Sequence, residues 1–174
     1  MNKNRLIVIS VFLFVLLAAS GMAQSKVGFV NSQDILAGTA EGKVKLTELD
    51  GFWTEKQKDF DTRNKEISTL QQNIMAQQRT LDADSLAKMQ RDLEQKQTEL
   101  SRFQEDSRAA GTQKQNEILQ GISQKVQVII EEYAKNNAFA VIFVLDQSQA
   151  YVSPKLDVTA EIIKLYDERY PAGS

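Results

Sequence analysis

The side chains in this sequence that could do acid–base chemistry are carboxylates, several of them in close pairs. They fall in stretches with the periodicity of solvated helices, where charged pairs form exposed faces. The chain contains no histidine and no cysteine, so it has no Ser–His or Cys–His nucleophile pair and no zinc site of the usual kind. No glycine-rich phosphate loop precedes a helix. We therefore predict no enzyme, no cofactor and no metal. The pairs are Asp59/Asp61, Glu105/Asp106 and Glu131/Glu132.

Binding through apolar contact is the chemistry that remains. Phe52, Met75 and Ile118 are large apolar residues that lie off the periodic rows described below. The thioether of Met75 is flexible enough to suit varied partners. These three residues are the candidate contact sites for a partner protein.

A stretch of about ninety residues, 43–133, must position these side chains, and it contains no proline. Apolar residues recur in it every seven positions, and Leu49 and Leu70 follow members of that row by three. A 3–4 spacing kept over several heptads is typical of a helix that packs along a seam with another helix. The outgoing row is Leu46, Trp53, Phe60, Ile67, Ile74 and Leu81.

The row stops at Leu81 and restarts after a polar break. Asp82-Ala83-Asp84-Ser85 offers turn and N-cap side chains, which predicts a hairpin tip at residues 82–85. The two helices should run from Glu41 to about Leu81 and from about Ser85 to Lys135. Each would reach roughly 60 Å at 1.5 Å per residue. The returning row is Leu86, Met89, Leu93, Leu100, Phe103 and Ala110.

Folding the stretch at about residue 83 predicts which residues face each other. Ile67 faces Leu100, and Trp53 meets the neighbourhood of Gly111. Large residues on one helix thus meet small ones on the other, which favours dense packing of a narrow seam. Further predicted pairs are Ile74 with Leu93 and Phe60 with Ser107.

The lower part of the arm is less regular. The heptad phase is expected to slip between Ser107 and Ile118. Gly51, Gly111 and Gly121 also fall here, and each costs up to about 1 kcal/mol against alanine in a helix interior. They indicate either close helix approach or a bendable arm root.

The residues outside the arm predict a small base with three short strands. Lys26–Asn31 is the first, and the apolar run Ala138–Leu145 predicts a fully buried strand. After a turn at 146–148, Ala150–Val152 predicts an antiparallel partner, which Pro154 ends because it has no N–H to donate. One subunit offers little to cover both faces of the apolar run, so we predict an oligomer. The oligomerisation strand comprises Val141, Ile142, Phe143, Val144 and Leu145.

Two short helices complete the predicted base. Ser32 or Asp34 can cap the first, and Asp157 can cap the second, Val158 to about Arg169. Asn136-Asn137 is expected to close the returning arm helix, since asparagine tolerates the left-handed conformation.

The first 23 residues are typical of a cleaved signal peptide. A positive head precedes the apolar run Leu6–Ala19, which is shorter than the roughly 20 residues of a membrane span, and Gly21-Met22-Ala23 predicts cleavage after Ala23. A retained anchor is the alternative.

The mature chain would carry 19 basic and 23 acidic residues, a balance of 19 − 23 = −4, which argues against nucleic acid. The lack of cysteine suits an oxidising compartment. The predicted units are residues 1–23, a base of 24–41 with 136–174, and an arm of 42–135.

The order of these elements resembles the OmpH/Skp family of periplasmic chaperones. The resemblance rests on the strand Val27–Asn31, the glutamine-rich hairpin and the closing segment 139–170, with Asp157-Val158-Thr159 opening the last helix. It implies an α+β fold: a β-rich trimerisation body with long helical-hairpin arms. It also implies an ATP-independent homotrimer that holds unfolded outer-membrane proteins in the periplasm.

One property departs from the family. Its best-known members have cationic arms, whereas residues 42–135 carry 15 basic and 16 acidic side chains here. Lipopolysaccharide binding is therefore doubtful, and we expect apolar contact to drive client capture more than charge. The alternative function is a non-catalytic coiled-coil scaffold or spacer that docks one fixed partner in the cell envelope. A test of whether the protein keeps a denatured β-barrel protein soluble separates the two.

Overall fold

The computed structural model describes residues 25–145, 149 and 151–171. The predicted signal peptide, the turn at 146–148, Ala150 and the last three residues lie outside them. The elements in chain order are β1 (Lys26–Val30), α1 (Ser32–Gly38), α2 (Ala40–Gln77), α3 (Ala83–Asn136), β2 (Phe139–Val144), a 3-10 turn (Pro154–Leu156) and α4 (Thr159–Arg169).

The two long helices form the antiparallel hairpin that the periodicity predicts. α2 has 38 residues and α3 has 54, so α2 alone is about 57 Å long. α2 ends at Gln77 rather than Leu81, and a turn follows in which the Leu81 N–H donates to the Gln77 carbonyl at 3.0 Å. The Asp82 carboxylate accepts from the Ser85 N–H at 2.9 Å. This cap starts α3 at Ala83, two residues earlier than expected.

The seam between α2 and α3 is only partly closed to water. Ile67 is buried, and it borders the same surface depression as Leu100, as the predicted register requires. Trp53 remains 41% exposed. The other predicted seam residues are half-buried: Leu46, Phe60, Ile74, Leu81, Leu93 and Leu100.

α3 buries one continuous stripe that runs from the arm into the base. Ser107, Gly111 and Ile118 are buried, and Lys114 between them is half-buried. The buried row continues through Gly111 rather than Ala110, a shift of one residue that agrees with the predicted slip of phase between Ser107 and Ile118. Ala110, which was assigned to the row, is exposed. Small and polar residues occupy the stripe, so a search for apolar residues misses it. Towards the base the stripe continues with Ile122, Val126 and Ile129.

The three lower-arm glycines have different surroundings. Trp53 packs directly on Gly111, and a Cβ at Gly111 would collide with the indole ring. At Gly51 and Gly121 an added Cβ would meet no described atom within 4 Å. Close helix approach therefore accounts for Gly111 alone.

The base contains a two-stranded parallel sheet. β1 pairs with β2 in the register Val27–Val141 to Val30–Val144. On the other side of β1, the Val158 N–H donates to the Phe29 carbonyl at 2.9 Å. The chain therefore returns along β1 before α4 rather than along β2. Tyr151 and Val152 are in no strand, so the predicted antiparallel partner of β2 is wrong for these two residues.

The core lies where α1, α4 and the base half of α3 meet β1. Ile35, Ile162 and Tyr166 are completely or almost completely buried there. β2 contributes less, because Ile142 is only half-buried and Phe143 and Val144 are exposed. Within one chain, the strand predicted to be fully buried thus exposes side chains on both of its faces.

Two of three helix ends differ in detail from expectation. The Asn31 side chain caps α1, accepting from the Gln33 N–H at 3.0 Å, so neither predicted residue does so. The Asp157 carboxylate accepts from the Thr159 N–H at 2.8 Å, as expected. After α3, the left-handed residue is Ala138, with φ of 54°, rather than an asparagine.

A polar cluster joins the start of α2 to α4 and α3. Lys125 contacts both carboxylate oxygens of Glu41 at 2.8 Å, and the Tyr166 hydroxyl donates to Glu41 at 2.7 Å. The Ala40 N–H lies in the first turn of α2 and has no acceptor within the helix. It donates to the Asp167 carboxylate at 2.9 Å. We call Glu41, Lys125 and Tyr166 the arm-root cluster.

The pKa values in this cluster follow from its contacts. Burial raises the pKa of Glu41, but hydrogen bonds from Lys125 and Tyr166 and the nearby charges outweigh it, so the pKa lies below 4.5. Burial and the bond to Glu41 raise the pKa of the Tyr166 hydroxyl. A carboxylate with a lowered folded-state pKa stabilises the fold above its unfolded pKa, and that contribution is lost as the pH falls through the folded value.

Tyr166→Phe should lower the free energy of unfolding by about 1.5 kcal/mol near neutral pH, because it removes a buried hydrogen bond to a charged group. The loss should shrink in acid, below the ordinary Glu41 pKa of 4.5. Denaturant unfolding at several pH values measures it. Tyr170→Phe is the control, since that hydroxyl bonds to no described residue. A loss that is equal at all pH values would contradict the role of Glu41.

Gly51→Ala and Gly121→Ala should each stabilise the arm by up to about 1 kcal/mol, because alanine is the better helix former and meets no obstacle. Gly111→Ala should instead lower the melting temperature and shift the Trp53 emission, since the ring must move. Thermal unfolding followed by tryptophan fluorescence compares all three. Stabilisation by Gly111→Ala with unchanged emission would contradict the contact between Trp53 and Gly111.

Candidate functional site

An open groove of about 900 Å³ lies between α2 and α3 in the lower arm. Three aromatic rings line it, those of Trp53, Phe60 and Phe103. We call it the arm groove. Its other lining residues are Thr54, Lys56, Gln57, Lys58, Asp61, Thr62, Lys65, Gln104, Ser107 and Arg108.

The rings are held in place by the seam and by cations. Trp53 rests on Gly111 and meets Phe52 edge-on, with ring centroids 5.3 Å apart. The Lys56 ammonium lies 5.8 Å from the centroid of Phe103, and the Arg63 guanidinium lies 4.6 Å from the same centroid. Cations over ring faces are attracted by the quadrupole of the ring. The aromatic surface is therefore fixed in position while part of it stays open to water.

The charges in the arm groove are mostly positive. Its lining contains four cations, Lys56, Lys58, Lys65 and Arg108, and one carboxylate, Asp61. None of the four cations forms a salt bridge with a described residue. Asp61 accepts a hydrogen bond from Gln57 at 2.9 Å. The near-neutral balance of the arm as a whole thus does not hold in this groove.

The three predicted contact residues do not come together. Phe52 is half-buried beside Trp53. Met75 is 69% exposed near the tip, about 35 Å from Phe52 along α2. Ile118 is buried in the core of the base, so its assignment as a client contact is corrected. Its apolar side chain belongs to the stripe of α3 rather than to an accessible surface.

The heptad register places Lys56 on the seam, whereas it assigns no role to the other three groove cations, Lys58, Lys65 and Arg108. Phe60 and Phe103 were assigned to the seam, where half-burial leaves one side of each ring available. Lys58 and Lys65 are seven residues apart and so share a face of α2. That spacing was the one available signal, and a near-neutral total charge concealed it.

A second, more apolar groove of about 590 Å³ lies in the base, between α1, α3 and β2. Leu119, Ile130 and Val144 line it, and the exposed face of β2 adjoins it. The structure thus leaves an apolar surface on the base as well as on the arm.

No group of three or more potential ligand side chains within the described residues could hold a metal ion. None of the described helices is long and apolar enough to cross a membrane.

Comparisons with known proteins agree with this architecture. The family model for outer membrane protein (OmpH-like) matches residues 26–166. The fold is similar to a crystal structure of a provisionally assigned OmpH-like outer membrane chaperone from Caulobacter crescentus CB15. The TM-score is 0.70 at 16% sequence identity, over 86% of this chain and 88% of that one. No curated protein matches the sequence significantly. Because the family model covers both strands, the whole hairpin and most of α4, this chain belongs to the OmpH-like family of outer membrane proteins.

Proposed function

We propose that this protein is an ATP-independent holdase chaperone that binds unfolded outer-membrane proteins between the arms of an oligomer and keeps them from aggregating. The observation that carries the proposal is the arm groove, in which aromatic rings are fixed on a long arm yet remain partly exposed. Large apolar side chains that are fixed at a surface mark a site of protein contact. The location is the periplasm, which the family and the predicted signal peptide favour.

The shape of the arm supports capture rather than catalysis. A hairpin nearly 60 Å long presents a large surface with little core of its own. Its seam is half open, so a client can contact side chains along the whole length. Met75 near the tip and Phe52 near the root remain candidate client contacts, at opposite ends of that surface.

Oligomerisation is supported by exposed apolar side chains on both faces of β2. Val144 is 55% exposed and Phe143 is 47% exposed, and the apolar base groove lies beside them. Leaving so much apolar surface in water is unfavourable, because each Å² costs about 25 cal/mol. Further copies of the chain would cover it, and a homotrimer is the assembly we propose.

Val144→Asp should break the oligomer without unfolding the chain. In a single chain the carboxylate would face water, whereas in an assembly it would be buried unpaired at a cost of several kcal/mol. Analytical ultracentrifugation measures the assembly, and circular dichroism checks the fold. Val44→Asp is the matched control, since Val44 is 48% exposed on α2. A wild-type protein that is a stable monomer at micromolar concentration would contradict the proposed trimer.

The mature protein should keep a urea-denatured outer-membrane β-barrel protein soluble on dilution with no nucleotide present. Light scattering follows aggregation. Val144→Asp should protect less than Val44→Asp, because separated arms cannot enclose a client. A protein that leaves aggregation unchanged and binds a single folded envelope partner would favour the scaffold function instead.

A further inference from the structure

We infer that the arm groove takes extended client segments of about five residues in which acidic and aromatic side chains alternate. The inference rests on the proposed holdase function, and it specifies which parts of a client the arm holds.

The positive charges of the arm are concentrated in the groove. Residues 42–135 carry 15 basic and 16 acidic side chains, a net of −1, whereas the lining of the groove carries four cations and one carboxylate, a net of +3. Some cations outside the groove are paired with carboxylates, such as Lys96 with Glu66 and Lys125 with Glu41, both at 2.8 Å. Those in the groove have no such partner among the described residues. A concave surface lined mainly by one sign of charge concentrates its field, so the occupant should be acidic.

Aromatic rings lie in the same groove as those cations. Trp53, Phe60 and Phe103 lie on the same groove, so an acidic segment would meet rings as well as ammonium groups. Aromatic pairs at 4.5–7 Å between centroids contribute about 0.5–1.5 kcal/mol beyond area burial. A simple polyanion would make only the charge contacts. The groove should therefore prefer segments with both kinds of side chain.

The length of the groove sets the length of the segment that it can hold. The groove residues of α2 run from Trp53 to Lys65, about 18 Å at 1.5 Å per residue. An extended chain advances about 3.3 Å per residue, so about five residues fill the groove. Its successive side chains point to opposite sides, so alternating acidic and aromatic residues would face opposite walls of the groove. Each wall carries both cations and rings: Lys58 and Phe60 on α2, Arg108 and Phe103 on α3.

The groove cations change the expected effect of salt on client binding. A near-neutral arm predicts client binding that salt hardly affects. Unpaired groove cations predict that acidic segments bind more weakly as salt increases, since exposed charges are screened beyond about 8 Å at physiological ionic strength.

Trp53 is the only tryptophan of the chain and lies in the groove, so its fluorescence reports occupancy directly. The full-length mature protein is titrated with a capped Asp-Phe-Asp-Phe-Asp peptide, with Lys-Phe-Lys-Phe-Lys, with Asp-Ala-Asp-Ala-Asp and with short-chain polyphosphate. The first peptide should bind at least about tenfold more tightly than the other three. Its affinity should fall at least about fivefold between roughly 50 and 500 mM sodium chloride.

The matched variants remove the same charge at different places. Lys58→Gln with Lys65→Gln removes two groove cations, and Lys43→Gln with Lys88→Gln removes two exposed lysines outside it. The groove pair should weaken binding of the acidic aromatic peptide at least about fivefold, and the control pair less than about twofold. Equal binding of the acidic and basic peptides, equal effects of the two variants, or polyphosphate binding as tight as the peptide would overturn the inference.

The outcome is separable from that of the proposed function. If the wild type and both variants suppress β-barrel aggregation equally and the peptide does not bind, the holdase function holds and the groove inference is wrong. If the wild type fails to suppress aggregation but the peptide binds as described, the groove binds acidic aromatic segments and the holdase function is wrong.

Discussion

The fold depends on α3, because this one helix forms half of the arm and also the floor of the base. Its buried stripe contains Gly111 under Trp53 in the lower arm and Ile129 in the core. A base of so few residues could not hold a 38-residue helix upright by itself. Because α3 runs without a break from the arm into the base, the side chains that form the core also fix the position of the arm.

The start of α2 is then fixed to that helix by polar contacts. Glu41 accepts from Lys125 of α3 and from Tyr166 of α4, so all three helices meet at one carboxylate. The buried Tyr166 hydroxyl needs a hydrogen-bond partner, because leaving it unpaired in the core would lower the stability of the fold. The arm therefore leaves the base in a defined direction, and the aromatic rings and cations of the arm groove lie at a defined height above it.

Much of the fold could be predicted from periodicity, and the misses have specific causes. Seven-residue recurrence gave the hairpin, its approximate tip and the contact of Trp53 with Gly111, because a long seam repeats its signal many times. Short signals were less reliable. The antiparallel strand at Tyr151 was wrong because tertiary contact drew the chain to β1. Ser107, by contrast, was placed opposite Phe60 by the register and is buried.

The candidate site was harder to predict than the fold. Ile118 looked accessible because its periodic neighbours Gly111 and Lys114 are not apolar, although they continue the buried stripe. The groove cations could not be recognised from total charge, since that total averages over both faces of two helices. Only their placement beside half-exposed rings distinguishes Lys58 and Lys65 from other surface lysines.

The most direct test of the account is site-specific photo-crosslinking to a bound client. A photoreactive phenylalanine analogue at Thr54, in the arm groove, is compared with one at Gln97, which borders a smaller depression nearer the tip of the arm. With an unfolded outer-membrane β-barrel protein bound, the Thr54 probe should crosslink strongly, at client segments rich in acidic and aromatic residues. Crosslinking that is equal at the two positions, or stronger at Gln97, would contradict client capture through the groove.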